Sequence, residues 1–157
     1  MECKLLHNEI IKIQTVKKNY ENSKAAVIDS LKILQKRLGW VPDWGIYEIS
    51  KLLNMSPEDV ESIATFYSQI FRKPVARNLI RLCDSVVCYL NGYEILEKKI
   101  NTLLNININC MTEDKKFTVL PVCCLGSCDK APVIMVNSDI YYKVDKFSII
   151  NILDTYK

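Results

Sequence analysis

The sequence contains no Cys-x-x-Cys pair, although 7 of its 157 residues are cysteines. This absence removes the thioredoxin-type redox motif and weakens a zinc ribbon or knuckle, in which two closely spaced cysteines flank a tight turn. A thiol–disulfide enzyme is the least favoured class. The odd number of cysteines and the lack of a secretory signal argue against a disulfide framework.

Arginine is also scarce, and no strongly basic or long apolar run occurs. The net charge is only +3, and the lysines are interleaved with acids, which argues against nucleic-acid binding. No apolar stretch approaches the roughly 18 residues that cross a bilayer, so we expect no direct membrane insertion. Residues 1–9 resemble neither a secretory signal nor a mitochondrial presequence, which predicts a reducing cytosolic compartment.

Four of the cysteines form two pairs whose spacing suits an iron–sulfur cluster. Four residues separate Cys83 from Cys88, and three separate Cys124 from Cys128, about 35 residues further along. Thiolates are soft ligands, so two pairs brought together by the fold can hold two sulfide-bridged irons, one pair on each iron. The pattern predicts a carrier of single electrons.

The remaining cysteines leave the ligand set open at one position. Cys123-x4-Cys128 is as suitable by spacing as Cys124-x3-Cys128. Neighbouring residues of an extended segment point to opposite faces, so only one of the two can readily enter the site. We expect Cys3 and Cys110 to be solitary thiols, near the terminus and in a polar loop.

Residues 1–75 predict a helical bundle domain of three or four helices without a ligand cluster. Its aromatic residues Trp40, Trp44, Phe66 and Tyr67 are expected to pack inward. The predicted helices run from a cap at Ser23 to Gly39, from a cap at Asp43 to Leu53, and from a cap at Ser56 to a stop at Pro74, with an earlier one around residues 10–20.

Residues 76–157 predict a second domain of strand, helix, strand, hairpin and helix. Its strands are expected at 79–83, 117–120, 133–136 and 140–142, and its helices at 92–104 and 146–156. This order is typical of a thioredoxin-like α/β domain with a four-stranded mixed sheet, so the fold class is α+β. Both cysteine pairs then lie in loops at strand ends.

The loops between paired cysteines are suited to offset negative charge. Backbone amides of residues 84–87 and 125–127 can point at the sulfurs, and Gly126 permits close approach or a positive φ. Such amides would influence the potential of a 2Fe-2S cluster.

Several stretches together carry a family resemblance. They include Cys83-Asp-Ser-Val-Val-Cys88 and Cys123-Cys-Leu-Gly-Ser-Cys128, with residues 38–43, 55–57, 60–68, 91–92, 131–132 and 135–137. The chain thereby resembles the family of the thioredoxin-like 2Fe-2S E subunit of NADH:quinone oxidoreductase, respiratory complex I. One departure is Asp114-Lys115, where relatives often have Asp-Gly.

The resemblance implies that Cys83, Cys88, Cys124 and Cys128 hold one 2Fe-2S cluster, leaving Cys123 outside. It also implies a subunit without a complete active site of its own. The partners would be the flavin- and NADH-binding F subunit, which holds FMN and NADH, and the neighbouring iron–sulfur subunit. The complex would lie in a peripheral arm on the cytoplasmic side of the bacterial inner membrane. Surplus exposed aromatics in the helical domain would mark the contact with the flavin- and NADH-binding partner.

Two alternatives stay open. A diaphorase subunit of an NAD-linked hydrogenase or formate dehydrogenase uses the same chemistry, and neighbouring genes would distinguish it. A zinc-stabilised structural or assembly module belongs to a different class, and it would be colourless and contain zinc without iron.

Overall fold

The computed structural model describes residues 4–156, and the chain divides into two compact units. The helical unit ends at Pro74 and the sheet unit begins at Val75. Among the described residues, no helix is both long and apolar enough to span a membrane.

Residues 4–74 of the helical unit form four α-helices around one apolar core. Its largest fully buried side chains include Ile13, Leu31, Leu34, Ile49 and Leu53, which recur at helical spacing along their elements. The helices are α1 (His7–Lys18), α2 (Val27–Leu38), α3 (Asp43–Leu53) and α4 (Pro57–Phe66), with a 3₁₀ turn at Ser23–Ala26 before α2.

Start and stop signals fix several of these bounds. Ser56 caps α4 by accepting a hydrogen bond from the Asp59 N–H at 3.1 Å, with Pro57 at the first helical position. Gly39 ends α2 with a φ of 80°. The expected cap at Ser23 is wrong, because the Asn22 side chain accepts the N–H of Lys24 instead.

α4 ends earlier than predicted. The chain turns extended at Tyr67, and Ile70 reaches the core from a turn that follows the helix. The side-chain amide of Gln35 stabilises this turn by donating to the Gln69 carbonyl at 2.9 Å and accepting the Phe71 N–H at 2.7 Å. The apolar residues therefore keep helical spacing beyond Phe66, although the helix itself ends there.

The expectation that the aromatic residues pack inward is wrong for two of them. Phe66 is 80% exposed and Tyr67 44% exposed, and their rings contact each other edge to face at a centroid distance of 5.2 Å. Trp40 and Trp44 are half-buried, and Trp44 packs against the core. Phe66 is the last residue of α4 and does not lie on the face of buried Val60 and Ala64, and the backbone becomes extended at Tyr67.

The sheet unit contains the predicted four-stranded mixed sheet. The strand order is β2-β1-β3-β4, in which β1 pairs parallel with β2 and antiparallel with β3, and β3 pairs antiparallel with β4. The elements are β1 (Asn78–Cys83), α5 (Val86–Leu90), α6 (Tyr93–Leu104), β2 (Phe117–Val122), β3 (Ile134–Val136), β4 (Asp139–Tyr141) and α7 (Ser148–Asp154), with a 3₁₀ turn at Cys128–Lys130.

The crossover positions the cysteines. β1 and β2 are parallel, so the chain returns through α6 before β2 begins. Parallel strands end at the same edge of a sheet, and Cys83 aligns with Val122 in the register. The segment from Cys83 at the end of β1 and the segment that follows β2 each include a cysteine pair, and the two segments leave the sheet side by side.

One element of this unit was not expected. Residues 84–87 were predicted as a loop, but Val86 begins the short helix α5, which includes Cys88. The helix is only five residues long, and its apolar residues Val86, Tyr89 and Leu90 are exposed, so they do not form a face that packs on the core. β2 also extends two residues further than predicted, to Val122.

Candidate metal centre

Cys83 and Cys88 form a buried pair. Cys83 is the last residue of β1, where its N–H donates to the Val133 carbonyl at 3.2 Å, and Cys88 lies in α5. Only 2% of Cys83 and 1% of Cys88 is exposed, and both pack with Val133. Partly buried Leu125 and Ala131 complete this apolar cover.

Cys124 and Cys128 form an exposed pair that follows β2. Their sulfur atoms lie 3.8 Å apart. Gly126 lies between them with a φ of 79°, and its N–H donates to the Cys124 sulfur at 3.3 Å. The predicted amide–sulfur contact and positive φ are therefore present at this glycine.

The sulfur–sulfur distance of the exposed pair fits a metal site. Two thiolates on one tetrahedral metal, with metal–sulfur bonds of about 2.3 Å, lie about 3.8 Å apart. The Cys124–Cys128 distance of 3.8 Å equals this value without any rearrangement. The spacing of these two sulfur atoms therefore fits two ligands of one iron or zinc ion.

The electrostatics of the thiols are interdependent. Burial works to raise the pKa of Cys83, but hydrogen bonds from Ser85 and from the Leu125 amide bring it below its usual value. Burial and the neighbouring Cys83 raise the pKa of Cys88. The hydrogen bond with Cys124 and the charge of that residue raise the pKa of Cys128, with a further contribution from Cys83. The two pairs therefore lie within electrostatic reach, and a bound cation would relieve their mutual repulsion.

The thiols are gathered pairwise. Within residues 4–156, no three side chains of Cys, His, Asp or Glu cluster closely enough to hold a single ion. A 2Fe-2S cluster takes two thiolates on each of its two irons, so it requires two pairs of thiols rather than a group of three or four on one ion. The assignment of these four cysteines as ligands stays a prediction.

The remaining cysteines are not assigned as ligands. Cys123 and Cys110 are both exposed, whereas Cys3 lies outside the described residues. Sequence reasoning missed Ser85 as a member of the site. The Cys83 thiol donates to the Ser85 hydroxyl at 3.5 Å. The signal for this contact in the sequence was a serine two residues after a candidate ligand.

Comparison with known proteins covers nearly all of the chain. The sequence profile of the thioredoxin-like 2Fe-2S ferredoxin family matches residues 13–157. The E subunit of NADH-quinone oxidoreductase of Buchnera aphidicola from Acyrthosiphon pisum is 53% identical over 157 residues, covering 100% of this chain and 97% of the relative. The protein of the same name from Escherichia coli K12 is 48% identical over 139 residues, covering 88% of this chain and 84% of the relative.

A solved structure shares the fold. The crystal structure of an NAD⁺-reducing NiFe-hydrogenase in the H₂-reduced state superposes with a TM-score of 0.70 at 23% identity. The alignment covers 83% of this chain but only 22% of the hydrogenase chain. At this identity the similarity concerns the fold alone.

Proposed function

The chain belongs to the thioredoxin-like 2Fe-2S ferredoxin family, and from that premise we propose that it is the electron-transferring E subunit of an NADH–quinone oxidoreductase. The observation that carries the proposal is the 53% identity to a protein of that name over the full chain. The paired thiols that follow β1 and β2 provide the site that this function requires.

Four residues would hold the cluster. Cys83 and Cys88 would bind one iron, and Cys124 and Cys128 the other. A 2Fe-2S cluster bound there supplies the capacity to take up and release one electron at a time. The apolar cover of Val133, Leu125 and Ala131 keeps water from the first pair, while the exposed second pair leaves a short path for electrons to a partner.

The proposed partners go beyond what membership of the family shows. We propose that this subunit contacts a flavin- and NADH-binding F subunit, which holds FMN and NADH, and a neighbouring iron–sulfur subunit. The assembly would form a peripheral arm on the cytoplasmic side of a bacterial inner membrane. Leu90 is 79% exposed on the helix that contains Cys88, and Phe66 is 80% exposed in the helical unit. These exposed apolar side chains support the proposal that partner subunits cover both surfaces.

A metal analysis tests the cluster. The purified chain should contain about two irons and two sulfides, and it should give an electron paramagnetic resonance signal after reduction. Cys124→Ser should lose most of this iron, whereas Cys123→Ser, one residue away, should retain it. A colourless protein containing zinc would contradict the proposal and support the zinc-stabilised module, and equal iron loss in both variants would contradict the ligand assignment.

Copurification tests the partner. Leu90→Ser should reduce recovery of the NADH-binding subunit, because it removes exposed apolar surface beside Cys88. Phe147→Ser is a matched control, since Phe147 is 66% exposed but lies just before α7. Equal recovery with both variants would contradict a contact at α5. Recovery of hydrogenase subunits instead would favour the diaphorase alternative.

A further inference from the structure

Ser85 occupies a capping position without acting as a cap. It precedes α5 with an extended backbone, φ −62° and ψ 157°, where a serine hydroxyl usually accepts an amide hydrogen bond from the first turn. Ser56 makes that bond at the start of α4, but the Ser85 hydroxyl makes no side-chain cap bond in α5. The Ser85 hydroxyl can therefore hydrogen-bond with another group.

That group is the buried cysteine pair. The Ser85 oxygen lies 3.5 Å from the Cys83 sulfur. The Ser85 hydroxyl also opposes the burial that raises the pKa of the Cys88 thiol. Cys83 and Cys88 are only 2% and 1% exposed, so their sulfur atoms have little access to water and the Ser85 hydroxyl is a polar group beside Cys83.

The direction of this hydrogen bond depends on the state of the sulfur. A protonated Cys83 donates to the Ser85 oxygen. A metal-bound thiolate has no proton, so only the hydroxyl can donate. The backbone amides that face these thiols come from Ser85, Leu125 and Val133 and are kept when Ser85 is replaced by alanine, whereas the Ser85 hydroxyl is removed.

We propose that Ser85 tunes the reduction potential of the cluster by donating its hydroxyl hydrogen to the Cys83 thiolate. Reduction adds one negative charge, and hydrogen bonds to the sulfurs are among the factors that set the potential. A donor to a thiolate stabilises the more negative state, so the hydroxyl raises the potential. The inference rests on the proposed function, because it requires a cluster at these cysteines.

A redox titration tests this role. The full chain with its native iron is titrated under electron paramagnetic resonance, together with Ser85→Ala, Ser85→Thr and the control Ser127→Ala. Ser127 lies in the other cysteine loop, and its hydroxyl makes no hydrogen bond with any residue between 4 and 156. S85A should shift the midpoint potential to a lower value, whereas S85T, which keeps a hydroxyl, and S127A should stay close to the unmodified protein.

The outcomes separate this inference from the proposed function. An unmodified chain without iron and sulfide would contradict the proposed function. With a loaded unmodified chain, an unchanged midpoint in S85A, or an S85T shift as large as that of S85A, would overturn the role of the hydroxyl. An S85A protein without iron, beside a loaded S85T protein, would also overturn it, since that result gives Ser85 a part in retaining the metal and none in tuning it.

Discussion

Arg37 binds the carboxylate of Glu9 with two guanidinium nitrogens. Its Nε lies 2.7 Å from Oε1 and its Nη2 3.0 Å from Oε2. The Glu9 side chain is only 6% exposed, and it also accepts the N–H of Leu6 at 2.8 Å before α1 begins. One carboxylate therefore joins α1 to α2 and satisfies a backbone donor at the start of α1.

We expect Glu9→Gln to destabilise the protein by about 2 kcal/mol, because the charge-assisted bonds weaken and Arg37 loses its partner. Urea unfolding measures this change. Glu48→Gln is the control, since the Glu48–Lys51 pair at 3.4 Å is more exposed and should contribute less than about 0.5 kcal/mol. Equal effects of the two substitutions would refute the buried pair as a source of stability.

The same pair predicts an acid response. Burial favours a raised pKa for Glu9, but the hydrogen bonds from Arg37 and Leu6 bring the pKa below its usual 4.5. A lowered folded-state pKa gives stability that is complete above the unfolded value and is lost as the pH falls through the folded value. The range from pH 6 to pH 3 reaches about 1.5 units to either side of the usual glutamate pKa. Over this range E9Q should therefore lose less stability than the unmodified chain. Parallel urea titrations that show equal losses would contradict this.

Local signals were enough for much of the fold. The cap at Ser56 with Pro57, the stop at Gly39, and the short apolar runs of β1 and β2 each depend on neighbouring residues, so the sequence predicts them. Strand ends also place the cysteine pairs, since both follow parallel strands. The mixed sheet is confirmed.

Longer-range contacts explain what the sequence did not predict. The Gln35 side chain, far from Ile70 in sequence, stabilises the turn that replaces the end of α4. α5 has only five residues, all of them apolar, so the segment is too short to show a helical alternation of apolar and polar residues. The contact of Ser85 with Cys83 is local, and its signal was a serine two residues after a candidate ligand.

Lys115 predicts a stabilising substitution. Its φ is 55°, a left-handed conformation that costs a side-chain residue about 1 kcal/mol. The turn has this shape because the Lys115 N–H donates to the Thr112 carbonyl at 2.9 Å and the Asp114 carboxylate accepts the Lys116 N–H at 3.0 Å. Lys115→Gly should raise stability by up to about 1 kcal/mol in urea unfolding. Lys98→Gly within α6 is the control and should lower it by about 1 kcal/mol; a loss in both would contradict the strain.

Gly45 predicts the opposite effect. It lies buried in α3, and an added Cβ would overlap Cδ2 of Leu34, which is itself fully buried. Although alanine favours a helix by about 1 kcal/mol, Gly45→Ala should destabilise by about 1–3 kcal/mol because the core is overpacked. Ser62→Ala on the exposed side of α4 has no such contact and should change stability by less than about 0.5 kcal/mol. A gain in thermal stability for G45A would show that Leu34 can move aside.

Gly126 links backbone conformation to metal retention. Its φ of 79° holds its N–H on the Cys124 sulfur at 3.3 Å, and an added Cβ would meet no atom within 4 Å. Any substitution effect therefore comes from the backbone. Asparagine tolerates positive φ and β-branched valine does not, so the loaded protein should lose visible absorbance to an iron chelator fastest in Gly126→Val and more slowly in Gly126→Asn.

A second glycine separates loss of metal from loss of stability. Gly39 has nearly the same φ, 80°, and equally open surroundings, but it ends α2 in the helical unit. Gly39→Val should therefore lower thermal stability by a similar amount without accelerating chelation, because it leaves the loop between Cys124 and Cys128 unchanged. If G39V and G126V released iron at the same rate, the metal would be responding to global unfolding, and the contact between the Gly126 amide and Cys124 would have no specific role in retaining it.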